Sequence, residues 1–148
     1  MAISATAGVL MVEDSANDRE LTLRALKRAN VTDNIQIAED GQEALDYLFC
    51  RGEYSSRNIL DFPRLILLDL KLPKVDGLEV LKQIKSDPRT WRIPVVMLTS
   101  SRQRSDLLES QGLGVNSYVV KPVGFAAFME AVQQLSSYWM VLNEPPQY

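Results

Sequence analysis

Four apolar runs in this chain are each followed at once by a residue that can do chemistry. Val9-Leu10-Met11-Val12 leads into Glu13-Asp14, and Leu65-Ile66-Leu67-Leu68 into Asp69. Pro94-Val95-Val96-Met97-Leu98 leads into Thr99, and Ser117-Tyr118-Val119-Val120 into Lys121. Taken singly, each has a structural explanation: Asp14 caps a helix, Asp69 caps a turn, Thr99 is a β-branched strand end and Lys121 a solvated charge. Taken together, their types are complementary. Carboxylates close together repel and hold their protons unless a cation compensates. Lys121 supplies one positive charge and leaves an oxygen-rich pocket with excess negative charge. Mg²⁺ suits such a pocket, because it takes hard oxygen ligands and commonly joins a carboxylate to a phosphate. A carboxylate can also be a nucleophile that forms an aspartyl-phosphate. Phosphoryl transfer asks the protein mainly for positioning and charge neutralisation. Asp69, central among the run ends, is the candidate nucleophile. The metal, the Lys121 ammonium and the Thr99 hydroxyl match three phosphoryl oxygens.

That chemistry requires the run ends to share one edge of one sheet. The short runs bounded by turn residues suit strands buried on both faces. Helical patterns separate them. After Glu13-Asp14, Ser15 can cap a helix with Asp18 and Glu20 early and Lys27 and Arg28 late, as the macrodipole favours. Leu21, Ala25 and Ala29 share a face of it, with Leu26 beside them. Asn34 to Ala38 alternates and reads as a more exposed strand toward a sheet edge. Asp40-Gly41 reads as a turn, followed by Ala44, Leu45, Leu48 and Phe49 at helical spacing. Arg51 to Pro63 loses the pattern and reads as a surface loop. A helix over Leu78 to Lys85 has the stripe Leu78, Leu81 and Ile84 or Lys85, with Val80 alongside, and Asp87-Pro88 ends it. A polar helix, roughly Arg104 to Gln111, is broken by Gly112 and Gly114. A last helix runs from about Phe125 to Leu142, where Glu144-Pro145-Pro146 stops it. Five β-α alternations imply a parallel sheet with helices on both faces and right-handed crossovers.

The bulk numbers narrow the classes. At 148 residues the chain reads as one domain over 1–148, with a core at about 7–136 and a C-terminal helical extension and tail at about 137–148. The net charge of -3 is mild, and with no basic run and no basic-aromatic interleaving nothing points to nucleic-acid binding. Cys50, the single cysteine, excludes an internal disulfide, which fits a reducing compartment. No apolar stretch is long enough for a membrane span, and Met1 to Gly8 is a poor signal peptide. Cytoplasm is the expected location. The chain has no histidine, which removes His-based catalysis, His metal sites and any phosphohistidine on this chain.

The chain resembles the response-regulator receiver domains of two-component signalling. The residues that carry the resemblance are Glu13-Asp14, the run from Asp69 through Pro73 to Asp76-Gly77, Thr99-Ser100 and Lys121-Pro122. The resemblance covers nearly the whole chain, from about Val9 to Leu135. The resemblance implies a flavodoxin-like (βα)5 fold, a doubly wound five-stranded parallel sheet of order 2-1-3-4-5. It implies Asp69 as phosphoacceptor, with Glu13, Asp14, Asp69 and the main-chain carbonyl of Lys71 around Mg²⁺. Thr99 and Lys121 would bind the phosphoryl group, and Tyr118 matches the aromatic position that moves with Thr99. A sensor histidine kinase would be the donor. The chain departs from the commonest pattern at Lys71, where many receivers carry a smaller or uncharged residue. Lys71 and Ser101 are expected to affect how fast water reaches the acyl phosphate. Lys74 reads as a solvated surface charge. The Arg51–Pro63 segment, the stretch from Asp87 to Pro94 and the Trp-bearing extension also resemble receivers paired with cyanobacterial phytochrome kinases.

The last helix is longer than a receiver needs. Phe125, Phe128, Val132, Leu135, Trp139 and Leu142 fall three and four apart. Its second half, with Tyr138, Trp139, Met140, Val141 and Leu142, would project past the sheet, and an apolar projection usually marks an interface. A homodimer through Tyr138, Trp139, Met140 and Leu142 is expected. The alternative function is a receiver-like module that binds partners without being phosphorylated. An electron carrier of flavodoxin type is disfavoured because Glu13-Asp14 would repel a phosphate after the first strand. An aspartyl phosphatase would need a second Asp just after the nucleophile, and a nucleotide hydrolase a Gly-rich Lys-Ser/Thr loop.

Overall fold

The computed structural model describes residues 8–28, 34–99, 112–114 and 117–120, together with 126 and 130; for 99 and 117–120 the backbone alone is described. Strands β1 (Val9–Val12), β2 (Ile35–Ala38), β3 (Leu65–Asp69), β4 (Val95–Thr99) and β5 (Ser117–Val120) form one sheet of order β2-β1-β3-β4-β5. Every neighbouring pair is parallel. Helices α1 (Ala16–Arg28), α2 (Gly41–Leu48) and α3 (Gly77–Ser86) connect the first strands.

Period-two alternation sorts the strand side chains into two cores. Leu10, Val12, Ile66, Leu68, Val95 and Met97 pack on one face with α2 and α3. Val9, Met11, Leu65, Leu67, Val96 and Leu98 pack on the other with Ala25 and Leu26 of α1. This is a doubly wound arrangement, and it explains why β1 and the first four residues of β3 are all apolar. β2 lies at the sheet edge with three of its four residues half-buried, as its alternating sequence predicts.

Local chemistry sets the helix starts. The Asp18 N–H donates to Ser15 Oγ at 3.3 Å, so Ser15 caps α1. Asp40-Gly41, expected as a turn, instead starts α2. Asp40 Oδ1 accepts the Glu43 N–H at 2.8 Å and Gly41 is the first helical residue. α3 buries Gly77, Val80, Leu81 and Ile84, whereas Leu78 is only partly buried, so its core stripe runs through Val80.

The 51–63 segment is a surface loop with more structure than its sequence suggests. It contains a 3₁₀ turn over Gly52–Tyr54. The Tyr54 hydroxyl donates to Glu43 Oε2 at 2.7 Å, and its ring meets Tyr47 edge-on at 5.2 Å. Burial and the Glu43 carboxylate push the Tyr54 phenol up to about 12. The Arg57 guanidinium lies 3.8 Å over the Tyr47 ring and donates to the carbonyls of Tyr47 and Asp61. One arginine thus closes the loop by satisfying two main-chain oxygens at once.

The predicted helix at about 104–111 lies outside the described residues. So does most of the last helix, of which Ala126 and Glu130 are helical and exposed.

Candidate functional site

The register of the sheet brings the run ends together. Val12 stands beside Leu68 and Asp69 beside Leu98, so Glu13 and Asp69 follow at neighbouring positions of one edge. Alternation sends both toward the α1 face, continuing the series Val9, Met11 and Leu65, Leu67. Thr99 is paired with Val120, so β4 and β5 end at the same edge of the sheet. Lys121 itself and the side chains of Thr99 and Tyr118 lie outside the described residues, as do Tyr138, Trp139, Met140 and Leu142.

Glu13, Asp14 and Asp69 offer carboxylate oxygens that all lie within 4.8 Å of one another. Glu13 is 3% exposed and Asp69 8%, whereas Asp14 faces solvent. Glu13 is held from both ends. Its N–H donates to the Ala38 carbonyl at 3.0 Å, and its carbonyl accepts Arg19 Nη1 at 3.0 Å. Its Oε2 accepts the Ser15 N–H at 3.2 Å. Three gathered carboxylates, two of them out of bulk water, are costly unless a cation is close. Hard oxygen donors with one side open to solvent suit a small divalent ion that keeps waters. The donor set therefore fits the expected metal.

The β3–α3 loop is pressed onto this edge by two glycines. A β-carbon on Gly77 would lie 2.2 Å from the Asp69 carbonyl oxygen and 2.6 Å from that of Leu70. One on Gly41 would lie 1.9 Å from the Val75 carbonyl oxygen. Both helix starts can reach the loop only because these side chains are absent. The Asp76-Gly77 and Asp40-Gly41 pairs were the sequence signals for these contacts, though they signalled turns. Lys71 is exposed on the loop. Lys74, expected as a plain solvated charge, is exposed but has a left-handed backbone (φ 66°), and its Nζ lies 3.3 Å from Asp40 Oδ2.

The family model for the response regulator receiver domain matches residues 9–133. The chain belongs to that family. Its sheet order and its acidic edge agree with the flavodoxin-like receiver fold. Among curated proteins it is 43% identical over 138 residues to "Probable methanogenesis regulatory protein FilR2" of Methanothrix harundinacea, covering 93% of this chain and 86% of that one. It is 41% identical over 132 residues to response regulator Rcp1 of Synechocystis, covering 89% and 88%. A crystal structure of the Mn²⁺-bound form of Rcp1 superposes with a TM-score of 0.86 at 40% identity, covering 94% of this chain and 98% of that one. The crystal structure of the phosphorylated cyanobacterial phytochrome response regulator RcpA superposes with a TM-score of 0.87 at 38% identity, covering 97% and 100%. The resemblance to phytochrome-associated receivers read from the sequence is thus matched in named relatives, and this chain is a signalling receiver of the phosphoacceptor type.

Proposed function

We propose that this chain is a phosphoacceptor switch in which Asp69 takes a phosphoryl group from the phosphohistidine of a sensor kinase, with Mg²⁺ as the working ion. The convergence of Glu13, Asp14 and Asp69 within 4.8 Å at the carboxyl edge carries the reading. An Asp69 oxygen attacks phosphorus, the P–N bond to the donor imidazole breaks, a P–O bond forms, and the imidazole leaves after taking a proton from solvent. The donor histidine is another chain's, because this one has none. Glu13, Asp14, Asp69 and the Lys71 carbonyl would hold the divalent ion, which supplies charge neutralisation at the phosphoryl oxygens. The Thr99 hydroxyl and the Lys121 ammonium bind the remaining oxygens, and Tyr118 follows Thr99 into a second arrangement that biases the surface a partner reads. Self-catalysed dephosphorylation follows from the same site. Lys71 beside it, together with Ser101, sets the access of water.

The input kinase is of the phytochrome type, by analogy with Rcp1 and RcpA. This receiver works in the cytoplasm as a homodimer through Tyr138, Trp139, Met140 and Leu142. Its output passes by protein contact to a downstream target. Truncation after Ser136 is expected to give a monomer in sedimentation; an unchanged dimer removes that interface.

The central test is intact-mass measurement after incubation with a small-molecule phosphodonor and Mg²⁺. Wild type is expected to gain one phosphoryl group, lost when a chelator is present, and Asp69→Asn to gain none. No gain in wild type would favour the phosphorylation-independent binding module. Phosphotransfer from a phytochrome-type kinase but not from an unrelated kinase would support the input; the reverse preference would overturn it.

A further inference from the structure

We propose that Lys74 and the N-terminus of α2 form a clamp that positions the loop carrying Lys71, so that residues outside the site set its affinity for a divalent ion. The inference rests on the metal reading above. The Val75 N–H donates to the Pro73 carbonyl at 2.8 Å, closing a three-residue turn around Lys74, whose φ is 66°. A turn of this hand is rare and strained for a residue with a β-carbon. Glycine would adopt it freely, yet this chain holds a lysine there.

Three contacts from α2 hold the strained turn. The Gly41 N–H donates to the Pro73 carbonyl at 3.3 Å. Gly41 packs against the Val75 carbonyl where no β-carbon fits. Lys74 Nζ meets Asp40 Oδ2 at 3.3 Å while Asp40 Oδ1 caps the helix through the Glu43 N–H. Asp40 therefore uses one oxygen to start α2 and the other to fix the loop. The side chain of Asp40 is 17% exposed and that of Lys74 68%. At the loop's far end the Gly77 N–H donates to the Leu70 carbonyl at 2.9 Å. The segment between Asp69 and Gly77 is gripped on both flanks, and Lys71 lies within it. An exposed ion pair alone contributes little to stability. Here it restrains a strained turn beside the site, so its effect is expected in ligand affinity more than in unfolding.

A double-mutant cycle separates a clamp from simple electrostatics. The variants are Asp40→Asn, which keeps a helix cap, Lys74→Asn, which tolerates the left-handed backbone, and the pair. Mn²⁺ affinity is measured by calorimetry on the full chain at about 0.15 M salt. If charge alone mattered, losing Lys74 would tighten cation binding and losing Asp40 would weaken it. The clamp requires both single variants to weaken Mn²⁺ binding, by about two- to fivefold. The double variant should be no weaker than either single one, because the contact is lost once. Lys74→Arg should restore wild-type affinity and the wild-type Val75 amide resonance. Opposite signs for the single variants, or no change in either, would overturn the clamp while leaving the metal site intact. Failure of wild type to bind Mn²⁺ would overturn the metal reading and the clamp with it.

Discussion

At the carboxyl edge of the sheet, Glu13, Asp14 and Asp69 bring like charges within 4.8 Å of one another. At the opposite edge, cations and polar groups meet main-chain oxygens and a carboxylate of opposite charge. Arg57 donates to the carbonyls of Tyr47 and Asp61, and Lys85 Nζ to those of Trp91 and Ile93 at 3.0 and 2.9 Å. The buried Thr90 hydroxyl donates to the Ile84 carbonyl at 2.7 Å. Arg89 holds the Asp87 carboxyl below its usual range through two side-chain hydrogen bonds, at 3.0 and 2.8 Å. Both edges obey the same rule, that a desolvated charge needs compensation. One edge answers it with donors and acceptors from its own loops. The other gathers three carboxylates, which costs stability and suits a cation.

The largest test of this contrast is Arg57→Ala. It removes two hydrogen bonds from a cation to main-chain carbonyls and the stacking on Tyr47, and should destabilise the fold by about 2 kcal/mol. Urea denaturation measures it, with phosphorylation of the folded protein unchanged. A loss under about 0.5 kcal/mol would mean that the lower edge does not depend on this residue. At the upper edge the sign should reverse. Asp69→Asn removes one of three like charges and is expected to raise stability by about 1 kcal/mol in chelator. Adding Mg²⁺ should narrow the gap by stabilising wild type more. A fall in the urea midpoint for Asp69→Asn would show that this carboxylate is structurally compensated.

The smallest effect concerns Lys85. Burial pushes its ammonium down from 10.5 to about 8. Between those values the unfolded chain keeps the proton and the folded one releases it, so stability rises with pH across the window and falls as pH drops through about 8. Its carbonyl partners favour the charged form and moderate the change. The stability of wild type relative to Lys85→Met should rise between about pH 7.5 and 9.5 by no more than about 1 kcal/mol. Tyr54, raised to about 12, does not titrate in that range. A flat or falling difference would show that the carbonyl pair outweighs burial.

Much of this was legible from residue types. The apolar runs predicted β1, β3 and β4, and the alternation at Asn34 to Ala38 predicted an edge strand, because burial on two faces and on one leave different patterns. Ser15 as a cap and Glu13, Asp14 and Asp69 as neighbours also followed. Asp40-Gly41 did not read correctly, since the same pair serves a turn or a helix start, and only the packing of Val75 against Gly41 decides. Arg57 carried no signal at all. An arginine in a polar loop looks the same whether it is solvated or closes the loop on two carbonyls.

The sequence by itself determined the order of strands and helices, the residues at their ends and the sign of the charge they gather. Those properties are local, set by side-chain volume, polarity and hydrogen-bonding type along a few consecutive residues. Tertiary structure decided how closely α2 and α3 approach the loop after Asp69, the left-handed turn at Lys74 and its contact with Asp40, and the partners of Arg57 and Lys85. Each of these depends on a distance between segments far apart in the chain, and such distances exist only once the two cores have packed.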